Sequence, residues 1–195
     1  MPTIPPVVNV ALSALSAVFF LIGAIGLSTD GSTMADVSWY YYSKDKAGTY
    51  LAPSGISYTG DGKKYVVLEW KDCKTSSLCS KGENDGVAAG ALAAVALILA
   101  VLAAVFFAMK MMGKDDPVSN YGGIASIFVS LILSIASLGC WSSVESEVDK
   151  LYKGHGQSFE QGPGWILVLV GLLASAIALI LGALSALGGG KTSPA

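Results

Sequence analysis

The chain has 195 residues, 53% of them hydrophobic and 13% charged, with a mean hydropathy of +0.60. A soluble domain carries about 25% charged residues, so water is not the main solvent of this chain. Its formal net charge of −2 excludes a nucleic-acid footprint or a long-range field for steering acidic partners. All twelve basic residues are Lys, and the missing Arg removes the usual residue for bidentate phosphate recognition.

Four blocks contain no Asp, Glu, Lys or Arg: residues 7–28, 87–109, 122–142 and 165–187. A hydrocarbon core of about 30 Å needs roughly 20 residues of helix, so each block is long enough to span it. The first block follows a start without a basic side chain, and its apolar run exceeds the roughly 7 to 15 residues of a signal core. It is therefore expected to be a retained first helix. Asn9, Ser13, Ser16 and Gly23 form its small or polar stripe, with Asn9 expected to bond to a neighbouring helix or to lie near the inner interface.

Residues 29–86 form the large loop. Val37 to Tyr42 and Lys64 to Trp70 are rich in strand-favouring residues, and Gly60-Asp61-Gly62 between Ile56–Thr59 and the second run is a hairpin turn signal. These runs predict a small antiparallel sheet standing on the bundle. Cys73 and Cys79, with five residues between them, are expected to be oxidised if this face is extracellular or lumenal, closing a short hairpin after the Trp70 strand. A cytosolic face would leave two free thiols. Two cysteines and the lone His155 are too few for a zinc site, and no metal or cofactor is expected. The many tyrosines suit sheet packing or a protein interface.

In the second span Ala89, Ala93, Ala96, Ala100 and Ala104 recur on one face. Residues 110–121 form the short inner connection, where Lys114-Asp115-Asp116-Pro117 reads as a turn and Ser119 or Asn120 as a cap for the third helix. The third span carries Ser126, Ser130, Ser134 and Ser137. Serine bonds readily to its own helix, so this stripe reads as packing rather than a pore lining. Cys140 reads as a buried thiol near its end.

Residues 143–164 form the second loop, in which His155 lies between glycines with no nucleophile pattern beside it, so it offers no catalytic site. Pro163 suits the first turn of the fourth helix, and Trp141 with Trp165 is expected to join an aromatic belt at the membrane surface. Gly171, Ser175, Ala178, Gly182 and Ala186 form the packing stripe of the fourth span, and residues 188–195 a short Gly-rich tail expected to be mobile.

Four spans put both termini on one side and both loops on the other. Nine Lys lie on the loop side and three on the terminal side, a count that leaves orientation to the cysteines, which favour loops outside and termini in the cytoplasm. Mixed steps of three and four predict an all-α, left-handed four-helix bundle forming one domain over residues 1–195. The spans hold no ionisable side chain, which argues against a pump, transporter or transmembrane channel.

Trp39, followed by Trp70-Lys71-Asp72-Cys73 and Cys79, resembles the Trp-x-x-Cys pattern of the claudin-like four-span superfamily, which includes claudins, peripheral myelin protein relatives, calcium-channel gamma subunits and the amastins. Leu68-Glu69-Trp70 stands where that family has Gly-Leu-Trp, with the Leu displaced by one position, and Gly162-Pro163-Gly164-Trp165 resembles the start of the family's fourth helix. The resemblance implies a non-enzymatic plasma-membrane protein with a structural or adhesion role. It would associate laterally with itself among membrane lipids, or accompany a larger channel, receptor or other complex as an accessory subunit.

Overall fold

The computed structural model describes residues 6–44, 47–60, 64–74, 76–113, 117–152 and 158–188. Four long apolar helices make up most of it: α1 (Pro6–Ile25), then, after a short α2 (Gly31–Asp36), four strands and α3 (Ser77–Lys81), α4 (Val87–Met111), α5 (Pro117–Tyr152) and α6 (Pro163–Gly188). Three of the four begin on Pro, whose fixed φ suits a first turn and whose missing N–H is lost there at no cost. α4 ends before Gly113, whose φ of +82° is the left-handed conformation that closes helices.

α1 packs between α4 and α6, and α5 closes the ring against the same two helices. Small residues set the approach: Ala89, Ala93, Ala96, Ala100 and Ala103 are fully buried along α4, and Asn9, Ser13, Ser16 and Gly23 are the buried stripe of α1. Ala103 replaces the expected Ala104, which is half-buried, because the stripe drifts around the 3.6-residue turn. Phe20 packs against Gly171, and Phe107 against Gly123 and Gly182. Leu15, Val18, Ile98, Val105, Phe128, Ile132, Leu173 and Ile180 cover the outside, as helices facing hydrocarbon require.

The sheet has five antiparallel strands, β1 (Tyr40–Lys44), β2 (Ala47–Ala52), β3 (Gly55–Gly60), β4 (Lys64–Glu69) and β5 (Glu160–Gln161), in the order β4-β3-β2-β1-β5. Pairing of Tyr40 with Gln161 and Tyr41 with Glu160 brings the second loop into the sheet of the first, so both loops form one structure at one end of the bundle. The strand expected at Val37–Tyr42 starts at Tyr40, because the preceding residues turn out of α2. Asp61 and Gly62 of the turn signal, the Lys114-Asp115-Asp116 turn, His155 and the tail beyond Gly188 lie outside the described residues.

The third helix differs most from expectation. The charge-free block ends at Ser142, yet α5 runs on to Tyr152, and its 36 residues reach ~54 Å against a hydrocarbon thickness of about 30 Å. Val144, Val148 and the partly buried Tyr152 continue the stripe of Trp141 beyond the apolar block, so residues 143–152 rise beside the sheet rather than forming a loop. At the other end α5 starts at Pro117, so Ser119 and Asn120 lie within the helix and do not cap it from outside. The second span is longer too: α3 runs through a wider π turn (Gly82–Gly86) into α4.

An aromatic junction between sheet and bundle as the candidate functional site

The tryptophans gather where the sheet meets the helices. Trp39 is fully buried, with its indole Nε1 donating to the Gly23 carbonyl of α1 at 3.2 Å. Its ring meets that of Trp141 edge-on, with centroids 5.3 Å apart. Trp70 is also buried, donates from Nε1 to the Ala52 carbonyl at 3.1 Å and lies flat against Gly82. Gly86 faces both Trp70 and Trp141, so one glycine of the π turn completes a continuous wall from Trp70 through Trp141 to Trp39. Only a residue without a side chain fits at Gly82, where an added Cβ would enter the Trp70 ring.

Three sequence expectations are corrected here. Trp141 is 0% exposed and belongs to the core, so it is not part of a lipid-facing belt; Trp39 and the π turn at Gly86 pack against it. Trp165 is half-buried and packs on the same core. Trp70 lies just past the end of β4 and opens a 3-10 turn, Trp70–Asp72, so the Cys73–Cys79 disulfide closes no hairpin. It ties that turn to α3, with Cα atoms 5.4 Å apart and Cys79 buried. Leu68 stays in β4, partly buried and paired with Ile56. Cys140 is partly buried against the core rather than enclosed.

Sequence reading missed a polar cluster beside this wall. Tyr40 donates its hydroxyl to Asp149 Oδ1 at 2.7 Å, and Gln161 Nε2 donates to Glu145 Oε2 at 3.1 Å. Two carboxylates one turn apart on α5 are thus engaged by β1 and β5. Burial raises the Glu145 carboxyl above its ordinary range; the Gln161 hydrogen bond opposes this and the Asp149 charge adds to it. Burial, then the bond to Asp149, likewise raises the Tyr40 phenol. Phe159 inserts its ring among Tyr40, Tyr42 and Tyr152 at centroid distances of 5.3 to 5.6 Å. The available signal was the spacing of Val144, Val148 and Tyr152, which extends the helical period past the last apolar block.

Further bonds fasten the other side: Ser77 of α3 donates to Glu147, and Ser143 donates to Asp85 of the π turn. Within the bundle Ser130 donates to the Ala96 carbonyl at 2.8 Å and Ser137 to the Ala89 carbonyl at 2.7 Å. These two serines bond across helices instead of to their own, whereas Ser134 bonds within α5, to Leu131. Ser126 is half-buried, while Gly171, Ser175 and Gly182 are buried on α6.

Among the described residues no group of His, Cys, Asp and Glu is arranged to hold a metal ion. The arrangement holds the sheet in place against the helices. No family model matches the chain, and no curated protein matches it.

Proposed function

We propose that this chain is a non-enzymatic, claudin-like structural protein of the plasma membrane, with cytoplasmic termini and an extracellular sheet. Its left-handed bundle associates laterally with copies of itself or with partner membrane proteins, and the sheet makes contacts outside the bilayer. One observation carries this reading: the sheet region is fastened to two different helices of the bundle, α5 and α1. Tyr40, Gln161 and Phe159 engage the extension of α5, and Trp39, just ahead of β1, donates to the Gly23 carbonyl of α1 at 3.2 Å. A platform held this way presents its surface in fixed register with the lipid-facing helices, which an adhesion or assembly role requires.

The accessory-subunit reading draws on a different feature. β4 is an edge of the sheet, with Tyr65 and Val66 exposed on it, and a free edge accepts a strand from another protein. Mild-detergent extraction from the native membrane, followed by identification of everything retained, separates the two. Self-association with arrays in freeze-fracture images supports the structural role; one unrelated partner at fixed stoichiometry supports the accessory role. Dispersed monomers that retain nothing overturn both.

A further inference from the structure

A groove of about 280 Å³ runs between the sheet and the first turn of α6, with Ser38, Tyr41, Tyr50, Gln161 and Ile166 among its walls. Tyr41 and Tyr50 are cross-strand partners whose rings lie nearly parallel, at 12°, with centroids 6.4 Å apart. Tyr50 lies along its own strand over Gly48, where an added Cβ would collide with the ring, so the glycine lets this ring lie flat. Tyr41 donates its hydroxyl to Glu160 Oε2 at 3.1 Å, which places a carboxylate on the rim. Glu160 is exposed and, among the described residues, has no ion pair.

The floor of the groove adjoins the apolar helix α6. Ile166 is exposed at the start of the fourth apolar block and heads a lipid-facing stripe that continues through Val170, Leu173 and Ile177. A molecule seated here has its polar end against two aromatic faces and a carboxylate, and its apolar end along α6. Ring faces and a carboxylate attract a cation, and a quaternary ammonium suits them because it has no N–H groups to satisfy and is cheaply desolvated. The carboxylate repels an anionic headgroup.

We propose that this groove is a binding site for a choline-headgroup phospholipid of the leaflet on the sheet side, its trimethylammonium group against Tyr41, Tyr50 and Glu160 and an acyl chain along Ile166 and Val170. The site depends on the helices lying in a bilayer and is independent of whether the protein adheres or accompanies a complex.

The test is native mass spectrometry of the full chain in maltoside micelles, with phosphatidylcholine, phosphatidylethanolamine and phosphatidylglycerol of identical acyl chains added in equal amounts. The first retained lipid is expected to be phosphatidylcholine, favoured about two- to fivefold over each of the others, the ratio that one exposed cation–π contact supports. Glu160→Gln keeps an acceptor for Tyr41 and removes the charge; Tyr50→Leu removes the ring and keeps bulk. Tyr50→Leu is expected to abolish the preference over phosphatidylethanolamine, and Glu160→Gln the preference over phosphatidylglycerol, while the thermal midpoint stays near that of the parent. Equal retention of the three lipids by the parent chain overturns the proposal, as does a preference over phosphatidylethanolamine that persists in Tyr50→Leu or one over phosphatidylglycerol that persists in Glu160→Gln.

Discussion

Asp30 precedes α2 and accepts hydrogen bonds from the Ser32 hydroxyl, the Thr33 backbone N–H and the Thr33 hydroxyl. These donors, the Ser32 hydroxyl foremost, lower its pKa to about 2. Because the folded value lies below the unfolded one, the charged cap stabilises the fold at every pH above the ordinary carboxylate range. That contribution is lost as pH falls through about 2. Asp30→Ala is therefore expected to lower the thermal midpoint near neutral pH, with the gap to the parent closing as the medium is acidified; a gap independent of pH would count against the charged cap. Gly82 poses a contest of two effects. Alanine favours a helical position by about 1 kcal/mol, but its methyl group would enter the Trp70 ring, and overpacking costs about 1–3 kcal/mol. Gly82→Ala should thus destabilise the protein in chemical unfolding, and a stabilised variant would mean that the ring moves away freely.

The helices of the bundle are joined by side chains that reach a neighbour's backbone. Ser130 and Ser137 bond to α4 at points two turns apart on α5, so their contributions should add. Each substitution to Ala is expected to cost about 0.6 kcal/mol, the mean for such bonds inside membranes, whereas Ser134→Ala, whose hydroxyl bonds to its own helix, should be close to neutral. Unfolding of the micellar protein by an ionic detergent, measured for the singles and the double, reads this directly; equal effects at all three positions would return the serines to a generic packing stripe. The existence of these helices was legible in the sequence, since charge-free blocks of this length have few other solutions. Their ends were not. Ser143–Tyr152 carries Glu145, Glu147, Asp149 and Lys150, so hydropathy ends the span there, while the helix continues because Val144 and Val148 have sheet residues to pack against.

At the scale of the whole molecule, sheet and bundle share one core. Trp39, Leu51, Ile56 and Trp70 from the sheet region join Phe20, Ala89, Trp141 and Val168 from the helices in a single cluster. Trp141 sits at its middle, so Trp141→Ala is expected to cost about 3–5 kcal/mol and to loosen the sheet along with residues 143–152 of α5. Hydrogen exchange should then show both regions losing protection together; loss confined to α5 would mean that the sheet stands as an independent unit.

The membrane class, the number of spans, the antiparallel sheet and the pairing of Cys73 with Cys79 were determined by the sequence itself, because each follows from local composition or from two residues close in the chain. Tertiary structure decided what Trp39, Trp70 and Trp141 touch, why Gly82 has no side chain, and which carboxylates Tyr40 and Gln161 engage. Those partners lie on separate elements far apart in the chain. A residue's period and composition say which face it occupies, whereas its neighbour across that face is fixed only when the elements pack.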